Sequence, residues 1–301
     1  MRLALAATVF VAHVTHVGAA PQLPEDVGGG VPQPATEPSG PPGTPIAAAP
    51  AHEAWYVGPR GRTRVLHLGI AAGFGAAFII SEGLAKGALA PDSCRWCDPP
   101  SLDRRVRDAL VWDDFDQARS LSNLTGYVAL PVFGVGIVGA MALSADDSGW
   151  ARLIDDVVPV LETVAISQVI TQAAKFSVGR ARPLVRFRDV TDPDDQDNNL
   201  SFYSGHSALT FGITVSAGMI ARWRGSRLEP VIWGVGLPLS AATAYLRIAA
   251  DKHYFTDVLT GTAVGIAAGL IIPRWMRHRD ERLGGLAIVP TGSGLSLTGS
   301  F

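Results

Sequence analysis

"LRIAADKHYFTD", residues 246–257, separates two strongly apolar stretches, roughly 230–246 and 256–272. It carries an Arg, a Lys, a His and two Asp within twelve residues. Charges so close to apolar helices are costly unless paired or solvated, so the segment reads either as a functional site or as a polar loop between two helices. Outward from it, further apolar segments fall near 65–81, 124–143, 157–176 and 206–221. Most are near the lower end of the roughly 17–25 residues that a spanning helix needs. All are rich in Gly, Ala, Ser and Thr, which let helix backbones approach closely in lipid. The expected fold is therefore all-α, a membrane-embedded helical bundle of about five or six spanning helices with the active site at one membrane face. A soluble bundle of buried helices is the competing reading, because several segments are short for a span.

Composition agrees with the membrane reading. Of 301 residues 48% are apolar and 17% charged, with a formal net charge of −2. Without a basic stripe there is no basis for a nucleic-acid partner. "MRLALAATVFVAHVTHVGAAP" has one Arg, a short apolar core and small residues near Ala19, so residues 1–19 read as a signal peptide, imperfect at His13 and His16. Residues 20–60, rich in Pro, Gly and Ala, read as a disordered linker. Residues 61–154 are then N-terminal helices of the bundle, 155–275 the core that carries the polar motifs, and 276–301 a basic tail. In that tail "LAIVPTGSGLSLTGSF" alternates around a Pro/Gly turn, as a small β-hairpin would. The two cysteines, Cys94 and Cys97, lack the second ligand pair of a zinc site. They read as a local disulfide in an oxidising compartment or as two free thiols.

Three polar clusters interrupt the helices. "KFSVGRARP" (175–183) places Lys175 and Arg182 seven residues apart, about two helical turns, so both can project from one face. Pro183 disfavours helical geometry at Arg182, which puts that Arg at the helix end. An anion between two such cations relieves their repulsion; a snorkelling cation pair at a membrane surface is the alternative. In "FYSGHSALTF" (202–211), Ser204 is a candidate N-cap, and the free N–H groups it introduces form an anion site. Gly205 lets an oxyanion approach that backbone, and His206 beside it can protonate a leaving group. In "RIAADKHYFTD" (247–257), Asp257 lies four residues beyond His253, so on a helix the two share a face and can hydrogen-bond. A carboxylate on one ring nitrogen leaves the other free as a nucleophile. Arg247 closes the preceding helix and offers a further guanidinium, while Lys252 reads as a solvated neighbour. "VRFRDVTDPDDQDNN" (185–199) carries five Asp and reads as a screen at the site's entrance, a head-group contact or an ordinary solvated loop.

In this order the three clusters resemble the signature motifs of the type 2 phosphatidic acid phosphatase / vanadium haloperoxidase superfamily. The resemblance covers about residues 155–275. It implies that Lys175, Arg182, Ser204, Gly205 and Arg247 hold a phosphate. It further implies that His253 attacks phosphorus to give a phosphohistidine, that Asp257 orients it, and that His206 protonates the departing alkoxide. The expected activity is hydrolysis of a lipid phosphomonoester or diphosphate, with no cofactor and no metal; no carboxylate cluster reads as a metal site. Tyr203 and Leu246 depart from the commonest pattern, which has Pro and Ser there, and bear on substrate preference. A vanadium-dependent haloperoxidase is one rival, opposed by the apolar segments. A non-catalytic lipid-phosphate binding or transport protein is another, opposed by the His206–His253 pair.

Topology depends on the first apolar segment, the weakest span, which is short and runs into Glu82 and Lys86. Six spans after a cleaved signal peptide would put the motifs in the cytoplasm and the arginines at 222–227 and 274–279 outside, against the positive-inside rule. Five spans, or six with an uncleaved N-terminus held inside, reverse this. The expected location is a bacterial-type cytoplasmic membrane with the site facing the periplasm or exterior.

Overall fold

Long helices form over the apolar segments and stop where glycine, proline or a polar cap intervenes. The computed structural model describes residues 62–145, 149–188, 196–283, 286–291 and 294–299. The expected signal peptide and linker lie outside the described residues. First come α1 (Arg62–Gly83), α2 (Lys86–Leu89) and α3 (Ser101–Leu110). The side chain of Asp114 accepts the Gln117 N–H and starts α4 (Phe115–Leu124), which continues through a π-helical turn, Thr125–Ala129, into α5 (Leu130–Leu143). α6 (Trp150–Val178), α7 (Pro183–Phe187), α8 (Gly205–Trp223) and α9 (Glu229–Val231) follow. A second π turn, Ile232–Gly236, leads into α10 (Leu237–Ala249), then α11 (Phe255–Leu283). Pro131 and Pro238 lie just after the two π turns. A proline has no N–H and its ring clashes with the carbonyl four residues back, so each helix widens locally where its ladder is interrupted.

α8 is the axis of the bundle. From Gly205 to Ala221 every residue except Phe211 is buried, with α6, α11, α5 and α10 packed around it. Leu130, Val138, Val160, Ile213 and Ile220 form the main apolar core between α5, α6 and α8. On the other side α11 meets α8 backbone to backbone through Gly261, Gly265 and Gly269. A Cβ at Gly265 would fall 2.5 Å from the Ala208 carbonyl oxygen, and one at Gly269 3.0 Å from that of Gly212. Small residues at this spacing permit close helix crossings in lipid. The contact brings the first turn of α11 against the first turn of α8.

Among the described residues four stretches are long and apolar enough to cross a membrane: Arg64–Gly83, Phe115–Leu143, Glu229–Ala249 and Phe255–Arg277. The first apolar segment is thus not the weak one. It forms a 22-residue helix that meets the test on both length and composition. α6 and α8 are the two long helices that do not meet it. α6 carries buried Asp155, Asp156, Glu162, Gln168 and Gln172, a polar face turned inward rather than to lipid.

At its C-terminal end α11 continues past residue 275 to Leu283. Beyond it β1 (Leu286–Thr291) and β2 (Gly294–Gly299) pair antiparallel, Leu286 opposite Gly299 and Thr291 opposite Gly294.

Candidate active site

All three motifs sit at helix termini that meet at one end of the bundle: the end of α6, the start of α8, the end of α10 and the start of α11. α6 stops at Gly179, which has φ 58° and donates its N–H to the Lys175 carbonyl. Few side chains tolerate that conformation, and a Cβ there would also lie 3.0 Å from Pro91. The helix therefore ends before Arg182, which stands in extended backbone as the N-cap residue of α7. The expected shared helix face of Lys175 and Arg182 is corrected accordingly: a left-handed glycine, not helical periodicity, turns Arg182 towards the site.

Ser204 caps α8, its Oγ accepting the Ser207 N–H at 3.4 Å and the Ser207 hydroxyl at 3.0 Å. A methyl at Gly205 would reach 3.3 Å from Gln168 Oε1 and 3.8 Å from Lys175 Nζ, so this first turn opens directly onto the lysine.

α10 ends in a tight turn in which Asp251, at φ 56°, reverses the chain. The N–H groups of Lys252 and His253 both donate to the Arg247 carbonyl at 3.2 Å, tying the nucleophile candidate to the guanidinium-bearing residue. Asp251 is buried and grips Arg107 at 2.7 and 2.6 Å and Arg188 at 2.9 Å. Lys252, expected to be solvated, is buried by the same turn.

His253 precedes α11 rather than lying on it, so the expected helical hydrogen bond to Asp257 does not form. Its Nδ1 lies 3.7 Å from Asp257 Oδ2 but 2.7 Å from the Ser201 carbonyl oxygen. A carbonyl only accepts, so Nδ1 carries the proton and Nε2 keeps its lone pair. Asp257 caps its own helix by accepting the Tyr254 N–H at 3.0 Å, and it accepts the Ser201 hydroxyl at 2.6 Å and the guanidinium of Arg180. Burial, then the charges of Arg247, Arg182 and Lys175, hold the His253 pKa well below the usual imidazole range. His253 is consequently neutral at pH 7.

α4 and the π turn supply partners from far away in the chain. Asn123 Oδ1 stands 3.0 Å from His206 Nε2, and the Tyr127 ring lies 4.3 Å from the His206 ring. Gly126 leaves room for that imidazole, since a Cβ would sit 2.8 Å from its Cδ2. Ser122 accepts from Arg247 at 3.1 Å. Of the acidic loop, Asp197 turns into the site, bridging Lys86 at 2.5 Å and Arg182 at 3.1 Å. Burial alone would raise its carboxyl, but Arg182, Lys86 and Lys175 outweigh that and hold it far below the usual range. Lys86 is likewise held up, against burial, by its hydrogen bonds to Asp197 and Glu82. Sequence reasoning missed Ser122, Asn123 and Tyr127, whose partners lie far away in the chain.

Residues 156–281 match the family model described as the PAP2 superfamily. Mouse phospholipid phosphatase 2 is 29% identical over 139 residues, covering 37% of this chain and 49% of the relative. The rat phospholipid phosphatase 2 is 30% identical over 128 residues, covering 34% and 45%. The chain thus spans about half the length of the curated relatives it matches. A solved transmembrane PAP2-type phosphatidylglycerolphosphate phosphatase from Bacillus subtilis aligns at TM-score 0.43 and 16% identity, covering 74% of this chain and 98% of that one.

Proposed function

Because residues 156–281 match the PAP2 superfamily model, we propose that this protein is a phosphatase acting on a lipid phosphomonoester or diphosphate through a phosphohistidine. One observation carries the reading. His253, its Nδ1 hydrogen-bonded to the Ser201 carbonyl so that Nε2 keeps its lone pair, stands among the cations Lys175, Arg182 and Arg247 at the end of a bundle with membrane-length helices.

In this reading the cations and the N–H groups of the first turn of α8 hold the phosphate oxygens. Nε2 of His253 forms a bond to phosphorus as the bond to the leaving oxygen breaks. Burial, then Arg247 and His253, hold the His206 pKa well below the usual imidazole range in the empty site. The negative charge of the bound phosphate raises it, so that His206 donates a proton to that oxygen. Water then attacks the phosphohistidine, with His206 taking its proton, and phosphate departs. Positioning and charge stabilisation carry such a transfer; each well-placed donor is worth about 10²–10³ in rate. A lipid substrate follows from the site's place at the bundle end, where a head group meets water while its chains stay in the bilayer. It agrees with the names of the phospholipid phosphatase relatives.

The catalytic end faces the exterior in this proposal. The cation tally alone does not decide, because Arg95, Arg104, Arg107, Arg186 and Arg188 belong to the catalytic end while Arg222, Arg224, Arg227, Arg274 and Arg277 belong to the other. The Cys94–Cys97 disulfide at the catalytic end tips the balance, since such bonds persist in oxidising compartments. Cysteines placed at exposed Asp113 and Arg222 test this: an impermeant thiol reagent on intact cells should label the first and not the second.

The test of activity is phosphate release by purified protein in detergent from a panel of lipid phosphates, followed by acid quenching to trap a ³²P-labelled histidine. Vanadate should compete and EDTA should leave the rate unchanged. No phosphate from any lipid, or activity that returns only with added magnesium, would sink the proposal.

A further inference from the structure

Arg180 belongs to the first motif but has no part in the reaction described above, and its surroundings are unusual. The side chain is 1% exposed. Its guanidinium donates to Asp257 Oδ1, to Thr256 Oγ1 at 2.9 Å and to Asp103 Oδ2 at 2.7 Å. Its two faces are covered by the rings of Trp96, at 3.9 Å, and Tyr254, at 4.2 Å. Its main chain is as closely engaged. The Arg180 carbonyl accepts the Ser201 N–H at 3.0 Å, and the segment pairs as a parallel bridge with Trp96.

These contacts converge on His253. The two groups facing its Nδ1 are the Ser201 carbonyl, at 2.7 Å, and Asp257, at 3.7 Å. Arg180 holds the first through its backbone and the second through its side chain. Trp96, which closes the outer face of the guanidinium, lies inside the loop closed by Cys94 and Cys97. An arginine stacked between two rings with its donors on fixed carboxylates has little freedom left, which suits a part that must hold others still.

We propose that Arg180 is a positioning residue for the nucleophile, and that the disulfide-closed Cys94–Cys97 loop is the clamp that keeps it seated. The inference rests on the phosphatase reading above. It adds a link between the oxidation state of this loop and turnover that the three motifs alone do not contain.

A misplaced nucleophile costs turnover more than binding, and an error of about 1 Å is worth on the order of 10²-fold. Arg180→Lys, which retains a cation, should therefore lower kcat with KM nearly unchanged, and Arg180→Met should lower it further. Losing the guanidinium also leaves Asp257 unopposed beside a ring that Arg247, Arg182, Lys175 and His206 face from the other elements. The imidazolium becomes easier to form, so the acid limb of the pH–rate profile should move towards neutrality in Arg180→Met. A residue that served only stability would not move that limb.

Should Arg180→Met fail to fold, Trp96→Ala and the reduced wild type carry the test. Treating folded protein with tris(carboxyethyl)phosphine cleaves Cys94–Cys97 to two thiols with oxidation of the phosphine. This should lower kcat with KM steady, and reoxidation should restore it. Wild-type kcat in Arg180→Lys and in fully reduced protein would overturn the proposal. So would variants that melt earlier while keeping the wild-type pH profile and kcat. The phosphatase reading fails separately, if His253→Ala still releases phosphate at the wild-type rate.

Discussion

The two ends of α6 use charge in opposite ways. At its start each carboxylate has its own cation or imidazole: Arg64 holds Asp155 at 2.7 Å, Arg224 holds Asp156 and His67 holds Glu162 at 3.0 Å. At its finish Lys175, Arg182 and Arg247 crowd around His253, with Asp197 entering from the acidic loop. One end pairs charges across α1, α6 and α8 and so joins the helices. The other gathers like charges, which raises the energy of the empty site and lowers that of an anion placed in it. Such concentrations of strongly interacting ionisable groups are more typical of function than of packing. The contrast predicts that substitutions at the two ends will affect different measurements.

The largest effect expected is from His253→Ala, which removes the attacking nitrogen. Turnover should fall by about 10⁴-fold or more, with no ³²P trapped on the protein and the melting temperature close to wild type. His206→Ala should cost about 10²–10⁴-fold on a lipid phosphate. The loss should shrink for p-nitrophenyl phosphate, whose leaving group departs without a proton. An equal loss on both substrates would remove His206 from the acid role.

The pH profile sharpens the comparison further. Because the folded pKa of His253 lies well below the imidazole value of about 6.5, the ring stays neutral as pH falls through that value. After correction for ionisation of the substrate phosphate and of His206, which must carry a proton to act as the acid, the limb of kcat/KM set by His253 should appear only below about pH 6. The same shift has a sign for stability. The unfolded chain takes up this proton first, so its contribution is complete above about pH 6.5 and is lost as the pH drops towards the folded pKa. A half-maximal rate at pH 6.5 would mean that the cationic field does not act on the nucleophile.

The smallest effect on catalysis is expected at the far end. Asp156→Ala leaves Arg224 facing a buried gap, and breaking a buried pair costs about 3–5 kcal/mol. The protein should melt several degrees earlier in detergent while kcat/KM stays within about threefold of wild type. Loss of activity in a sample that is still folded would show that the two ends are coupled.

Much of this architecture was legible in the sequence because it is local. Apolar runs mark the helices, Ser204 marks the start of one, and Pro183 puts Arg182 at the end of another, through side-chain caps and backbone restriction that reach only a few residues. The motif residues accordingly lie at helix ends. Helical periodicity was the wrong guide where a turn intervened: it put Lys175 and Arg182 on one face, and His253 and Asp257 on another. Exposure misled too, since Lys252 is buried beneath the turn built on Asp251.

What only the tertiary structure decided was which distant residues complete the site. Nothing near Asn123 or Ser122 announces that they meet His206 and Arg247, 83 and 125 positions away. Nothing in "GRARP" tells Arg180, bound to Asp257 and Asp103, from Arg182, turned towards the phosphate site. Both His253 Nδ1 and Ser201 depend on a backbone carbonyl, and every residue has one. Helix starts and stops are encoded by neighbours in the chain, whereas the meeting of four helix ends comes from how α8 is packed by Gly261, Gly265 and Gly269 on one side and by α5 and α6 on the other. That outcome is a sum over many contacts, and no short stretch of sequence contains it.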